Sequence, residues 1–154
     1  MSKPTILVVD DEPHVGTMLS LHLKRFGLEV VLVESGHSAW SELTKSRFDC
    51  VLTDLVMPNG DGFWLLEKLS TLSKPPIALI MSGHADADTA LRALEHGAFD
   101  YVAKPFRPEE VIFRVRRALE RVQMAAELER LRRDNASGGG GVGMVTRSKA
   151  MLCL

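Results

Sequence analysis

"VLTDLVMPNGDG", residues 51–62, runs apolar like the interior of a sheet, closes on the carboxylate of Asp54, and passes into a turn holding Pro58, Gly60 and Gly62. A buried strand that delivers an acid at its end carries a desolvation cost unless a cation meets it there. The same pattern recurs along the chain. "TILVVD" (5–10), "EVVLVE" (29–34), "DCVLTD" (49–54), "IALIMS" (77–82) and "DYVAK" (100–104) read as strands. Helical periodicity fills 13–26, 36–46, 61–72 and 86–96, and a last helix begins at Pro108.

The first helix is well punctuated. Asp11 or Glu12 can cap it, Pro13 suits its first turn, and Gly27 follows its last apolar positions. The first and third strands are apolar on consecutive positions, as a parallel sheet buried on both faces requires. This repeated strand–helix alternation predicts a doubly wound α/β domain with right-handed crossovers.

A chain of 154 residues accommodates one domain with its own core plus an appendage. A hydrophobic share of 45% with 25% charged residues is that of a globular protein, and a net charge of −1 gives no general attraction to nucleic acid or anionic membrane. No apolar run reaches bilayer-spanning length, and "MSKPTILVVDDE" turns acidic too early for a secretory signal, so the cytoplasm is the expected compartment. Cys50 and Cys153 are too far apart in sequence and context for a disulfide framework or zinc site, and Cys50 reads as a small core residue.

From Pro108 helical character outruns what covering one sheet needs. Val111, Val115, Ala118, Val122 and Ala125 keep a spacing of three and four before Leu128 and Leu131 shift the register, which makes a seam but a short one for a coiled coil. The expected organisation is therefore a domain over 1–122, a helical extension over 123–135 able to serve as a dimerisation linker, and a flexible Gly-rich linker and tail over 136–154, opened by "ASGGGG".

In a parallel sheet all carboxyl ends share one edge, where open α/β folds bind their ligands. Asp10 with Asp11, Asp54, Ser82 and Lys104 close four of the strands. Taken singly, each could be a cap, a turn former or a surface charge. Together they place three carboxylates, a hydroxyl and an ammonium in one crevice. The carboxylates repel and call for a hard divalent cation such as magnesium, which keeps waters that a phosphate can replace. Lys104 suits phosphate oxygens, and Asp54 could then attack phosphorus and form an acyl phosphate.

"VVDDE" (8–12), "DLVMPNGDG" (54–62), "MSGHAD" (81–86) and "YVAKPF" (101–106), in this order and spacing, resemble the signature segments of the receiver domain of two-component response regulators, over about residues 4–122. The resemblance implies a flavodoxin-like five-stranded sheet of order 2-1-3-4-5. It implies that Asp54 accepts a phosphoryl group from a histidine kinase, and that Asp10, Asp11, Asp54 and the backbone carbonyl of Val56 hold magnesium. Lys104 would pair with the phosphoryl oxygens, Ser82 would hydrogen-bond them, and Tyr101 would turn inward to alter the surface of the fourth helix, fifth strand and fifth helix. It raises the expectation of a cis bond between Lys104 and Pro105. Such a domain is no general enzyme and catalyses only its own phosphorylation and dephosphorylation. Gly83 stands where alanine is common in the family, and His84 and Val56 where it varies.

The tail adds a second resemblance. "LERLRRDN" and "GMVTRSKAM" are similar to the linker and opening residues of the ATPase module in sigma-54-dependent activators of the nitrogen-regulator type. No Walker motif or helix-turn-helix lies in this chain, so the expectation is a homodimer-forming receiver whose output domain, for transcription regulation, is missing from it, without direct nucleic-acid or membrane binding. Two alternatives stay open: a constitutive dimerisation or interaction module, and an aspartate-nucleophile phosphatase, whose usual pair of aspartates two apart "VVDDEP" does not match well. "GGGGVG" follows a charged helix instead of a strand and is no dinucleotide fingerprint. The arginines of 107–133 alternate with glutamates as on a solvated helix, and Trp40 and Trp64 read as packing residues.

Overall fold

Side chains on a strand alternate between the two faces of its sheet, so a consecutive apolar run can be buried only when both faces are covered. The computed structural model, which describes residues 3–55, 57, 61–83 and 87–138, realises this arrangement. In chain order it contains β1 (Thr5–Val9), α1 (Pro13–Arg25), β2 (Glu29–Val33), α2 (Gly36–Lys45), β3 (Cys50–Asp54), α3 (Gly62–Leu69), β4 (Ile77–Ser82), α4 (Ala87–Glu95), β5 (Asp100–Ala103) and α5 (Pro108–Gly138). The strands form one parallel sheet of order β2-β1-β3-β4-β5. Every residue of β3, the central strand, is buried.

Two apolar layers sandwich the sheet. On one face Ile6, Val8, Leu52, Leu79, Met81 and Val102 meet Leu19 and Leu23 of α1 and Val111, Val115 and Ala118 of α5. On the other, Leu7, Val9, Val51 and Ile80 meet Ala39 and Leu43 of α2, Leu65, Leu66 and Leu69 of α3, and Ala93 of α4. Each of the larger side chains among them contributes roughly 1.5–3 kcal/mol by leaving water. The fold is thus a doubly wound, flavodoxin-like sheet with helices on both faces.

Local chemistry sets the helix ends. The Ser35 hydroxyl accepts from the Ser38 amide at 3.1 Å to start α2, and Asp61 Oδ1 accepts from the Trp64 amide at 2.9 Å to start α3. Gly27 (φ 81°) and Gly97 (φ 104°) follow α1 and α4 in the left-handed conformation that glycine adopts without strain. Helix α3 stops at Leu69, short of the expected 72. The hydroxyls of Ser70 and Thr71 turn back onto the carbonyls of Glu67 and Lys68, both at 2.6 Å, and compete with further helix. Helix α5 runs on to Gly138, past the position where "ASGGGG" begins, since alanine and serine cost a helix little.

The chain divides into two compact units, Met1–Leu119 and Glu120–Leu154. The described part of the second is helix, with ion pairs between Glu127 and Arg130 (2.6 Å) and between Glu129 and Arg133 (3.2 Å) along its surface. The segment "GMVTRSKAM" lies outside the described residues. Among the described residues no helix is long and apolar enough to cross a membrane.

Candidate functional site

Strand register brings the polar strand ends together. Val9 pairs with Thr53, which sets Asp10 beside Asp54; Asp54 pairs with Met81, and Ser82 with Ala103, so Ser82 and Lys104 follow at the same edge. Backbone bonds extend the ladders past the strands. The Asp10 amide donates to Val33 O (3.1 Å), the Leu55 amide to Met81 O (2.9 Å) and the Lys104 amide to Ser82 O (2.7 Å). These groups therefore ride on the rigid sheet.

Lys104 sits at the centre. Its Nζ lies 3.0 Å from Asp54 Oδ2, 3.2 Å from Glu12 Oε1 and 3.3 Å from Asp10 Oδ2. Asp10 and Asp54 are buried, at 1% and 7% exposure, so their charges need this partner. Burial alone would lower the Lys104 pKa. The hydrogen bond and charge of Asp54, the charge of Asp10 and the hydrogen bond to Glu12 outweigh it and hold the ammonium above its ordinary range. Asp10 is raised, first by burial and also by the neighbouring Asp54 charge, against the lowering effects of the Glu12 amide on its Oδ1 (2.9 Å) and of Lys104.

The carboxylate oxygens of Asp10, Glu12 and Asp54 lie within 4.8 Å of one another, a donor set of hard oxygens that fits a magnesium-like cation. Asp11, the adjacent acid, is exposed and stands outside this trio. Glu12 occupies the N-cap position of α1 but makes no side-chain cap bond, leaving its carboxylate free to face Lys104. A helix cap, the role its sequence position suggests, is not the one its carboxylate takes. The signal was available: with Pro13 fixing the helix start, Glu12 sits at the strand–helix turn two residues from Asp10. Ser82 is buried at the end of β4. Tyr101 is half-buried and packs against the layer of α2, α3 and α4. The Lys104–Pro105 bond is cis. Val56, expected to offer a carbonyl, and His84 lie outside the described residues.

Beside this edge, Gly62 opens α3 with its amide donating to Leu55 O at 2.7 Å. A Cβ there would stand 2.9 Å from both Asp54 O and Leu55 Cα. Only glycine lets the helix start press this closely on the backbone that carries Asp54.

A buried aspartate at the end of a central strand, ammonium-paired and ringed by two further acids, is arranged to present a carboxylate oxygen to an electrophile at the open edge of the sheet. Comparison with known proteins gives the family. The family model described as response regulator receiver domain matches residues 6–116. The response regulator GtcR of Aneurinibacillus migulanus is 36% identical over 121 residues, covering 79% of this chain and 49% of that protein. The transcriptional regulatory protein SrrA of Staphylococcus aureus is 33% identical over 118 residues, covering 77% of this chain and 48% of its own. The chain thus spans about half the length of the curated relatives it matches. A crystal structure of a putative response regulator from Chloroflexus aurantiacus superimposes with a TM-score of 0.74 at 32% identity, over 77% of this chain and 99% of that one. With the family model covering most of its length and the acidic edge in place, this chain belongs to the response regulator receiver domains of two-component systems.

Proposed function

We propose that Asp54 is the phosphoacceptor and that this receiver takes its phosphoryl group from a histidine kinase in a magnesium-dependent reaction. The observation that carries the reading is the 3.0 Å contact between Lys104 Nζ and Asp54 Oδ2 at a buried strand end shared with Asp10 and Glu12. Asp54 Oδ attacks phosphorus, the P–O bond forms as the P–N bond of the phosphohistidine breaks, and the imidazole, protonated on its other ring nitrogen, takes the bonding pair and leaves neutral. Asp10 and Asp54, with Asp11 and the Val56 carbonyl completing the set, would hold the magnesium ion, which neutralises the transferring oxygens when bound. Glu12 is placed to join them directly or through water. Lys104 keeps its charge at all physiological pH and turns from the carboxylates to the phosphoryl oxygens.

Ser82, at the end of β4, is the hydroxyl that would donate to the new phosphoryl group, with Tyr101 on β5 responding behind it. Contacts made only in the phosphorylated state would shift the population between two packings of α4, β5 and α5. One relative, SrrA, is named a transcriptional regulatory protein, which supports control of transcription as the output of this switch. For the second unit a homodimer is the reading we favour. Met124, Leu128 and Leu131 are 72%, 52% and 49% exposed at spacings of four and three, the d, a and d positions of a heptad. The tail resemblance to sigma-54-dependent activators is compatible with that arrangement.

Intact-mass spectrometry after treatment with a small phosphodonor tests the site. One phosphoryl adduct is expected on the wild type with magnesium, none on Asp54→Asn and none after chelation. An adduct persisting on Asp54→Asn would overturn the assignment, whereas multiple turnover of the donor would favour a phosphatase. Unchanged assembly and partner binding in Asp54→Asn would favour a constitutive interaction module.

A further inference from the structure

At the amino edge of the sheet, opposite Asp54, the connections entering β3 and β4 run side by side. Cys50 pairs with Ile77, and the Ile77 amide donates to Asp49 O at 3.2 Å. Between the end of α2 and the residues before β4 they border an open cleft of about 280 Å3, near the lower end of small-molecule sites at about 300 Å3. Its floor is apolar: Leu43 and Phe48 belong to the buried layer beneath α2 and α3, and Leu72 and Pro76 complete it. Its exposed rim carries Lys45, Arg47 and Lys74, and Ser46 and Ser73 line it as well.

None of these three cations forms an ion pair among the described residues. The neighbouring acid is occupied elsewhere, since Asp49 Oδ2 accepts from the Thr5 amide at 2.9 Å. At the end of α2, Thr44 Oγ1 donates to Ser41 O and the Ser46 amide to Glu42 O, both at 2.9 Å. In a chain of net charge −1, three cations around one concave apolar floor are a local excess. Two ammonium groups and a guanidinium fork match a phosphate dianion better than a single carboxylate. The floor lies below the rim, so a ligand that uses both must be small enough to enter; an extended polyanion would touch the rim alone.

We propose that this cleft binds an organic phosphate of the mononucleotide class, its phosphate held by Lys45, Arg47 and Lys74 and its ring set against Leu43, Phe48, Leu72 and Pro76. The site is separate from the phosphoacceptor edge: the four steps from Cys50 to Asp54 along β3 span roughly 13 Å. It does not depend on Asp54 chemistry. A ligand held here would clamp the α2–β3 and α3–β4 connections to each other.

Titration of the full chain with AMP, followed by amide NMR shifts without magnesium, tests this. Saturable shifts are expected within 43–48 and 72–76, with adenosine and inorganic phosphate each binding at least about tenfold more weakly. The double variant Arg47→Ala/Lys74→Ala, altered only at exposed side chains, should weaken AMP binding at least about tenfold. Asp54→Asn should leave it unchanged, so failure here is distinguishable from failure of the phosphoacceptor reading. The proposal is overturned if no saturable shift occurs, or if inorganic phosphate binds as tightly as AMP. It is equally overturned if the double variant binds like wild type, or if vesicles of anionic phospholipid are bound in preference to AMP.

Discussion

Lys104 Nζ and Asp54 Oδ2 lie 3.0 Å apart although 50 residues separate them in sequence. The contact ties the end of β5, an edge strand, to the end of β3, the centre of the sheet, and it balances two buried carboxylates with one ammonium. Lys104→Met removes that ammonium and keeps most of the stem. Leaving Asp54 and Asp10 together without it should destabilise the metal-free protein by about 2–4 kcal/mol. Saturating magnesium chloride should recover a large part of the loss, because a divalent cation can replace the missing charge. Urea unfolding with and without chelator measures both quantities. Equal losses in the two conditions would mean that the acids do not share a cation site.

Glu12 differs from the two aspartates in exposure, its side chain being 62% exposed against 0% for Asp10 and 10% for Asp54. Its 3.2 Å contact with Lys104 is therefore largely screened, and Glu12→Gln should change stability by less than about 0.5 kcal/mol. The same variant should weaken magnesium binding severalfold if Glu12 helps hold the ion. Calorimetric titration with magnesium chloride decides the matter, and an unchanged affinity would remove Glu12 from the site.

Gly62 presses on the main chain beneath Asp54, and the two shortest contacts a side chain there would make are to backbone, which cannot turn aside as a rotamer can. Gly62→Ala would drive its Cβ to 2.9 Å from Asp54 O and Leu55 Cα. We expect a loss of about 1–3 kcal/mol and a slower phosphoryl uptake, as the carboxylate shifts with its backbone. Gly16→Ala is the control. Its Cβ would meet the Leu32 side chain, at 2.6 Å from Cδ1, and a rotamer change can relieve that contact. Thermal melts and phosphodonor time courses of the two variants should therefore diverge.

The strands were legible because burial on both faces leaves a run such as "TILVV" with no polar interruption, and the strand order followed from the family resemblance rather than from periodicity. Asp10, Asp54, Ser82 and Lys104 were legible because a parallel sheet sends every strand's last residue to one edge. What was less visible lay one or two residues beyond the strands. Which of Asp11 and Glu12 turns toward Lys104 depends on the direction of the turn before Pro13, and strand alternation does not extend into turns. The end of α3 was misplaced because the hydroxyls of Ser70 and Thr71 can either continue a helix or fold back on its carbonyls. The amino-edge cleft was invisible in one dimension, since Arg47 and Lys74 meet only through the pairing of β3 with β4.

Cys50 offers a test of how dry the sheet interior is. The thiol is fully buried in β3, and burial, assisted by the Asp49 charge, pushes its pKa from 9.0 up to about 12. The folded protein thus keeps the proton over a range in which the unfolded chain gives it up. The stability this supplies is fully present below pH 9 and is lost as pH rises from there toward about 12. Within that window the thiol should contribute a slope approaching about −1.4 kcal/mol per pH unit. Lysine and tyrosine titrations also fall in this range, so the informative quantity is the difference between wild type and Cys50→Ala, in which they cancel. The small cavity left by alanine offsets the two stability curves by a constant, while the thiol alone makes them converge as pH rises. Urea unfolding at several pH values between 8 and 11 follows that convergence. Parallel curves would show that the thiol ionises equally in both states and that water reaches the centre of the sheet.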